Sequence, residues 1–125
     1  MYMVRGCVME NFQVIFFEKE NGDIPAEAFL ESLESKMKAK MTRAISALQE
    51  HGNELREPYS KHLTDGIFEL RAQIGSDISR ALYFFVIGKQ VVITHGFIKK
   101  TQKTPSGEIA RAKTYRNEYL NRKEN

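Results

Sequence analysis

The sequence predicts an α+β fold: an antiparallel sheet meander packed against N-terminal helices, with a basic helix at the C-terminus. Three observations predict it. Phe29, Leu33, Met37, Met41, Ile45 and Leu48 recur at helical spacing. Strand-like segments then follow one another from Ile67 to Ile98, joined by Gly75-Ser76-Asp77 and Gly88-Lys89. A second helical segment comes after Pro105. Helices and strands are grouped rather than alternating, which is the α+β pattern.

Taken in order, Phe12 to Phe17 (FQVIFF) is aromatic and β-branched and reads as a first strand. Asn21-Gly22-Asp23 is a turn, and Pro25 suits a helix's first turn. The apolar stripe fits one long helix or two in a hairpin, with Ser35 and Lys36 able to hold a bend, and Gly52 stops it. Glu57 to His62 leads through a loop into a short strand, and Asp65-Gly66 turns it into Ile67 to Ile74. Ile78 to Ile87 and Gln90 to Ile98 continue the meander, and the short turns demand antiparallel pairing. Ser106 to Asn121 closes the chain as a helix. Ile109, Ala112, Tyr115, Tyr119 and Leu120 form its sheet-facing side.

The chain's 125 residues are read as one domain, with residues 1–10 and 121–125 as loose ends. Hydrophobic residues make up 42%, enough for one modest core. No apolar run approaches the roughly 20 residues of a membrane span, and Glu10 and Asn11 spoil any leader peptide, so a cytoplasmic location is expected. Cys7 is alone and has no internal disulfide partner. Charge is uneven. Residues 1–98 hold 11 cations and 13 anions, a net of −2, whereas residues 99–125 hold 8 and 3, a net of +5. A basic end on a slightly acidic body fits polyanion contact, and equally a solvated C-terminal helix.

Arg71, Arg80, Lys99 and Lys100 fall on or beside the strands, where cations cost free energy to desolvate. Glu69, Arg71 and Gln73 should point outward together, away from Phe68, Leu70, Ala72 and Ile74. Arg80 shares a face with Leu82, Phe84 and Val86 at the start of a strand that is apolar on both faces, where an open mouth is expected. Val91, Ile93, His95, Phe97 and Lys99 share one face of the last strand. Such cations suit a metal-independent RNA cleavage in which the 2′-hydroxyl attacks the adjacent phosphorus. Arginine would grip the phosphate, and a lysine of depressed pKa would move a proton. Tyr83 and Tyr115 are candidates to stack on a base, and Lys103, Arg111 and Lys113 to bind RNA. The competing structural reading pairs Arg71 with Glu69 or Glu108. His51, His62 and His95 lack ligand spacing and there is no CxxC or HExxH, so no metal and no cofactor is expected. His95 reads as a core histidine, and His62 lies near the candidate site.

The phrases KHLTDGIFELR, SRALYFFVIGKQVVITHGFIKKTQKTP and EIARAKTYRNEY resemble the phage-derived, HigB-like branch of the RelE/ParE toxin superfamily, from Phe12 to Tyr119. The resemblance implies helices on one side of an antiparallel, RelE-like sheet. It implies the toxin of a type II toxin–antitoxin system: an mRNA endoribonuclease working at the ribosome. It also implies a cognate helix-turn-helix antitoxin, with operator DNA reached only through the antitoxin complex. Arg71, Arg80, Lys99 and Lys100 fall where relatives carry basic site residues. Ser79 stands where relatives place an aromatic, and the tyrosine near the C-terminus of some relatives has no clear counterpart. A degenerate toxin that binds RNA or antitoxin without cleaving is the alternative, and a phage-associated interaction protein is a third reading.

Overall fold

The computed structural model describes residues 11–99 and 103–124. The expectations for the N-terminal end, Cys7 and Lys100 lie outside the described residues. Eight elements run in the order β1 (Gln13–Phe16), α1 (Pro25–Ser32), α2 (Ser35–His51), β2 (Ser60–Thr64), β3 (Ile67–Ile74), β4 (Asp77–Val86), β5 (Gln90–Lys99) and α3 (Ser106–Glu124). The fold is α+β. The apolar stripe is split into two helices because Leu33 and Glu34 both adopt extended backbone, one residue before the expected bend. Helix α3 runs three residues past its expected end at Asn121, so that tail is helical up to Glu124.

The five strands form one sheet in the order β1-β5-β4-β3-β2. β2 to β5 make the antiparallel meander. β1 pairs with β5 in parallel, so the sheet is mixed rather than wholly antiparallel. The hairpin turns explain the register. Asp65 and Gly66 both have positive φ, the geometry whose twist matches a two-residue hairpin, whereas β4 and β5 are joined by three residues, Ile87, Gly88 and Lys89, the last two with positive φ.

Helices cover both faces, not one. Met37, Met41, Ala44 and Leu48 of α2 pack on Leu70, Ala81, Tyr83 and Ile93. Ala112 of α3, flanked by Tyr115 and Tyr119, packs on Leu82, Phe84 and Val92 of the opposite face. β4 is thus apolar on both sides, as its sequence requires. Gly96 has a steric role here, since a Cβ on it would overlap the Phe29 ring of α1.

One alternation is corrected. Leu82 pairs with His95 and Tyr83 with Ile93, so Thr94 is an extra residue, a β-bulge in β5. The bulge inverts the face of everything after it. Val91 and Ile93 join the α1–α2 core, whereas Phe97 joins the α3 side, where His95 meets Tyr115. Among the described residues, no helix is long and apolar enough to cross a membrane.

Candidate functional site

The site is organised by a carboxylate under the sheet surface. In the β3–β4 register Arg71 lies directly opposite Arg80. Two cations facing each other across a ladder repel, so an acid between them is needed. Glu69, two residues before Arg71 and on the same face, provides it. Its carboxylate meets Arg71 Nε at 2.8 Å and Arg80 Nη1 at 3.5 Å. Thr104, just before α3, completes the set: its hydroxyl donates to Glu69 Oε2 and accepts from Arg80 Nη1 at 3.1 Å. Desolvation lowers the pKa of Arg80; Glu69 opposes that shift and Arg71 adds to it.

This burial corrects two expectations. Glu69 is not on a solvated face; it is fully buried, because the segment leading into α3 covers it. Arg80 does not sit at an open mouth, since it is 0% exposed and held inside the network. Arg71 is the member that reaches the surface, at 20% exposure.

Other candidates are dispersed. Tyr83 is 1% exposed, stacked on Phe68 at 5.4 Å and hydrogen-bonded to Ser60, so its ring is unavailable to a base. Desolvation raises its hydroxyl pKa, with the Ser60 hydrogen bond opposing. Tyr115 is half-buried and stacked on Phe17 at 4.7 Å. Lys99 is exposed at the end of β5, and Lys103 is exposed beside Thr104. Arg111 pairs with Glu108 at 3.6 Å. Lys113 lies 3.8 Å from Asp65, which Arg116 also grips, so these cations tie α3 to the β2–β3 turn. His95 is a core histidine as expected, with Thr94 Oγ1 and Glu108 Oε1 each 3.0 Å from a ring nitrogen.

Two grooves meet the network. One, of about 390 Å3, is lined by Lys61, His62, Lys103, Thr104, Ile109 and Glu69 itself. The other, of about 560 Å3, lies toward α2, and Arg71 forms part of its wall. The sequence reading passed over Thr104 and Lys61, and it gave Glu69 only as an outward-facing partner of Arg71. A usable signal existed for Glu69: it is the acid two residues from one strand arginine, with a second arginine on the next strand. Among the described residues, no cluster of His, Cys, Asp and Glu is placed to hold a metal.

A family model described as "Phage derived protein Gp49-like (DUF891)" matches residues 28–117, from α1 to within α3. That family is associated with RelE/ParE-like toxin–antitoxin modules. No curated protein matches the chain.

Proposed function

The chain belongs to the phage-derived Gp49-like family, and on that premise we propose that it is a toxin that cleaves mRNA. One observation supports this most: Arg71 forms part of the wall of the larger groove, and its guanidinium is anchored by a buried carboxylate that lines the smaller one. A guanidinium fixed in advance loses little entropy when it takes a phosphate, and it meets the charge that develops on a phosphorane. The 2′-oxygen forms a bond to phosphorus and the bond to the 5′-oxygen breaks. A 2′,3′-cyclic phosphate and a 5′-hydroxyl remain.

In this reading Arg71 binds the reacting phosphate, and Lys99, Lys100 and Lys103 add positive charge. His62 lines the groove beside Glu69, and its Nε2 accepts the Gly66 N–H at 3.2 Å; it is the candidate for proton transfer. Arg80 becomes a positioning residue: it balances Glu69, and Glu69 orients Arg71. The partners are a cognate helix-turn-helix antitoxin, mRNA and the ribosome. Operator DNA is reached only through the antitoxin complex, no cofactor is used, and the site of action is the cytoplasm. This is the HigB-like reading.

The test is inducible expression with growth curves and mapping of RNA 5′-hydroxyl ends. Wild type should stop growth and create new ends. Arg71→Ala should reduce cleavage by about 10²–10³ while remaining folded. A wild type that leaves growth and RNA ends unchanged overturns the proposal. That outcome favours a binding module without cleavage, a reading supported by the burial of Arg80.

A further inference from the structure

The larger groove carries features that the cleavage reading does not use. Tyr59 stands at its edge with 55% of its surface exposed. A large ring left open on a small protein wants a partner. Its position is fixed. The Arg71 N–H donates to the Tyr59 carbonyl at 2.8 Å, so the two residues sit side by side across the β2–β3 pair. Ser60, next in the chain, is buried and hydrogen-bonded to Tyr83.

Helix α2 supplies the opposite wall. Lys40 and Arg43 are three residues apart and so lie on one helix face. The Lys40 ammonium donates to the Gln73 carbonyl at 2.8 Å, which ties the helix to β3. Arg43 is exposed and, among the described residues, forms no ion pair. Ala44, Ala47 and Ala72 leave the floor shallow. No Asp or Glu lines this groove, unlike the smaller one, which contains Glu69. Its volume of about 560 Å3 lies within the range of small-molecule sites.

We propose that this groove is a nucleotide subsite for single-stranded RNA, with the base stacked on Tyr59 and the backbone phosphate held by Arg43 beside Arg71. The inference rests on the cleavage reading, because a strand whose reacting phosphate lies at Arg71 continues into the groove. An exposed aromatic flanked by cations, with no acid between them, is the usual surface for an unpaired base and its phosphate. An acidic protein segment would satisfy the cations but makes no use of an open ring face.

The experiment is fluorescence-anisotropy titration of the full chain with a short, uncleavable 2′-O-methyl RNA. Variants are Tyr59→Ala, Tyr59→Phe and Arg43→Ala, with cleavage of unmodified RNA followed in parallel. Tyr59→Ala should weaken binding about 10-fold and Tyr59→Phe should bind like wild type, since the ring face suffices. Arg43→Ala should weaken binding and reduce the salt slope by about 0.7. Both altered side chains are exposed, and thermal melts check that the variants fold. If wild type binds and cleaves RNA while Tyr59→Ala and Arg43→Ala bind equally well, the subsite is wrong and the cleavage reading stands. If wild type neither binds nor cleaves RNA, both fall. Variants that keep RNA affinity but lose affinity for a polyglutamate peptide would assign the groove to an acidic protein and overturn the proposal.

Discussion

Arg71 and Arg80 face each other across one strand pair, yet they live in different solvents. Arg80 is sealed against Glu69 and Thr104, while Arg71 shares the same carboxylate and reaches a groove. A buried guanidinium has little left to offer a ligand, because its charge is spent on its partner and its desolvation is costly. A guanidinium at the rim is held by that partner and still meets solvent. The inner pair therefore builds the platform, and in the proposed function the outer arginine works on it. Cation count alone does not separate these roles; burial does.

The sharpest way to break this comparison is to remove the shared acid. Glu69→Ala leaves the Arg80 charge buried without its carboxylate, and stability should fall by about 3–5 kcal/mol. Replacing Glu69 and Arg80 together by Leu and Met removes both charges and should recover most of that loss. Urea unfolding of the single and double variants checks both. Arg80→Ala in turn strands Glu69 and should lose stability together with activity.

Much of the fold was legible because the signals were local. The helical stripe, the Asp65-Gly66 turn and the two apolar faces of β4 each reside in a few adjacent residues. The inverted face of His95 was not legible, because one inserted residue, Thr94, shifts the alternation without changing the composition. The parallel docking of β1 was also hidden, since nothing within β1 specifies its partner. Arg71 was placed correctly at a strand surface. Glu69 was misread because the cover over it comes from Thr104, 35 residues away.

Thr104 gives the next, smaller test. Thr104→Val keeps the shape but removes the hydroxyl that donates to Glu69 and accepts from Arg80. Leaving those groups short of a partner should cost about 1–3 kcal/mol by urea unfolding. If the variant is as stable as wild type, the hydroxyl is not part of the platform. Thr104 also borders the groove that Lys103 lines, so loss of the anchor should weaken RNA binding as well as stability.

The smallest effect concerns the second buried polar set, around His95. Desolvation lowers its pKa below the ordinary 6.5; the Glu108 hydrogen bond and charge oppose this, and Arg111 reinforces it. The folded chain therefore favours the neutral ring, and the unfolded chain takes up the proton first. That contribution is complete above about pH 6.5 and is lost as pH falls below it toward the depressed folded value. Urea unfolding at several pH values should show wild-type stability declining on acidification through this window. His95→Gln, which cannot titrate, should flatten that part of the slope. Glu108→Gln removes the group that supports the charged ring, so it should widen the gap and steepen the decline. If wild type instead gains stability on acidification and His95→Gln abolishes the gain, the Glu108 partnership outweighs burial. The His95 pair would then resemble the Glu69 network, in which a buried charge is retained by its partner.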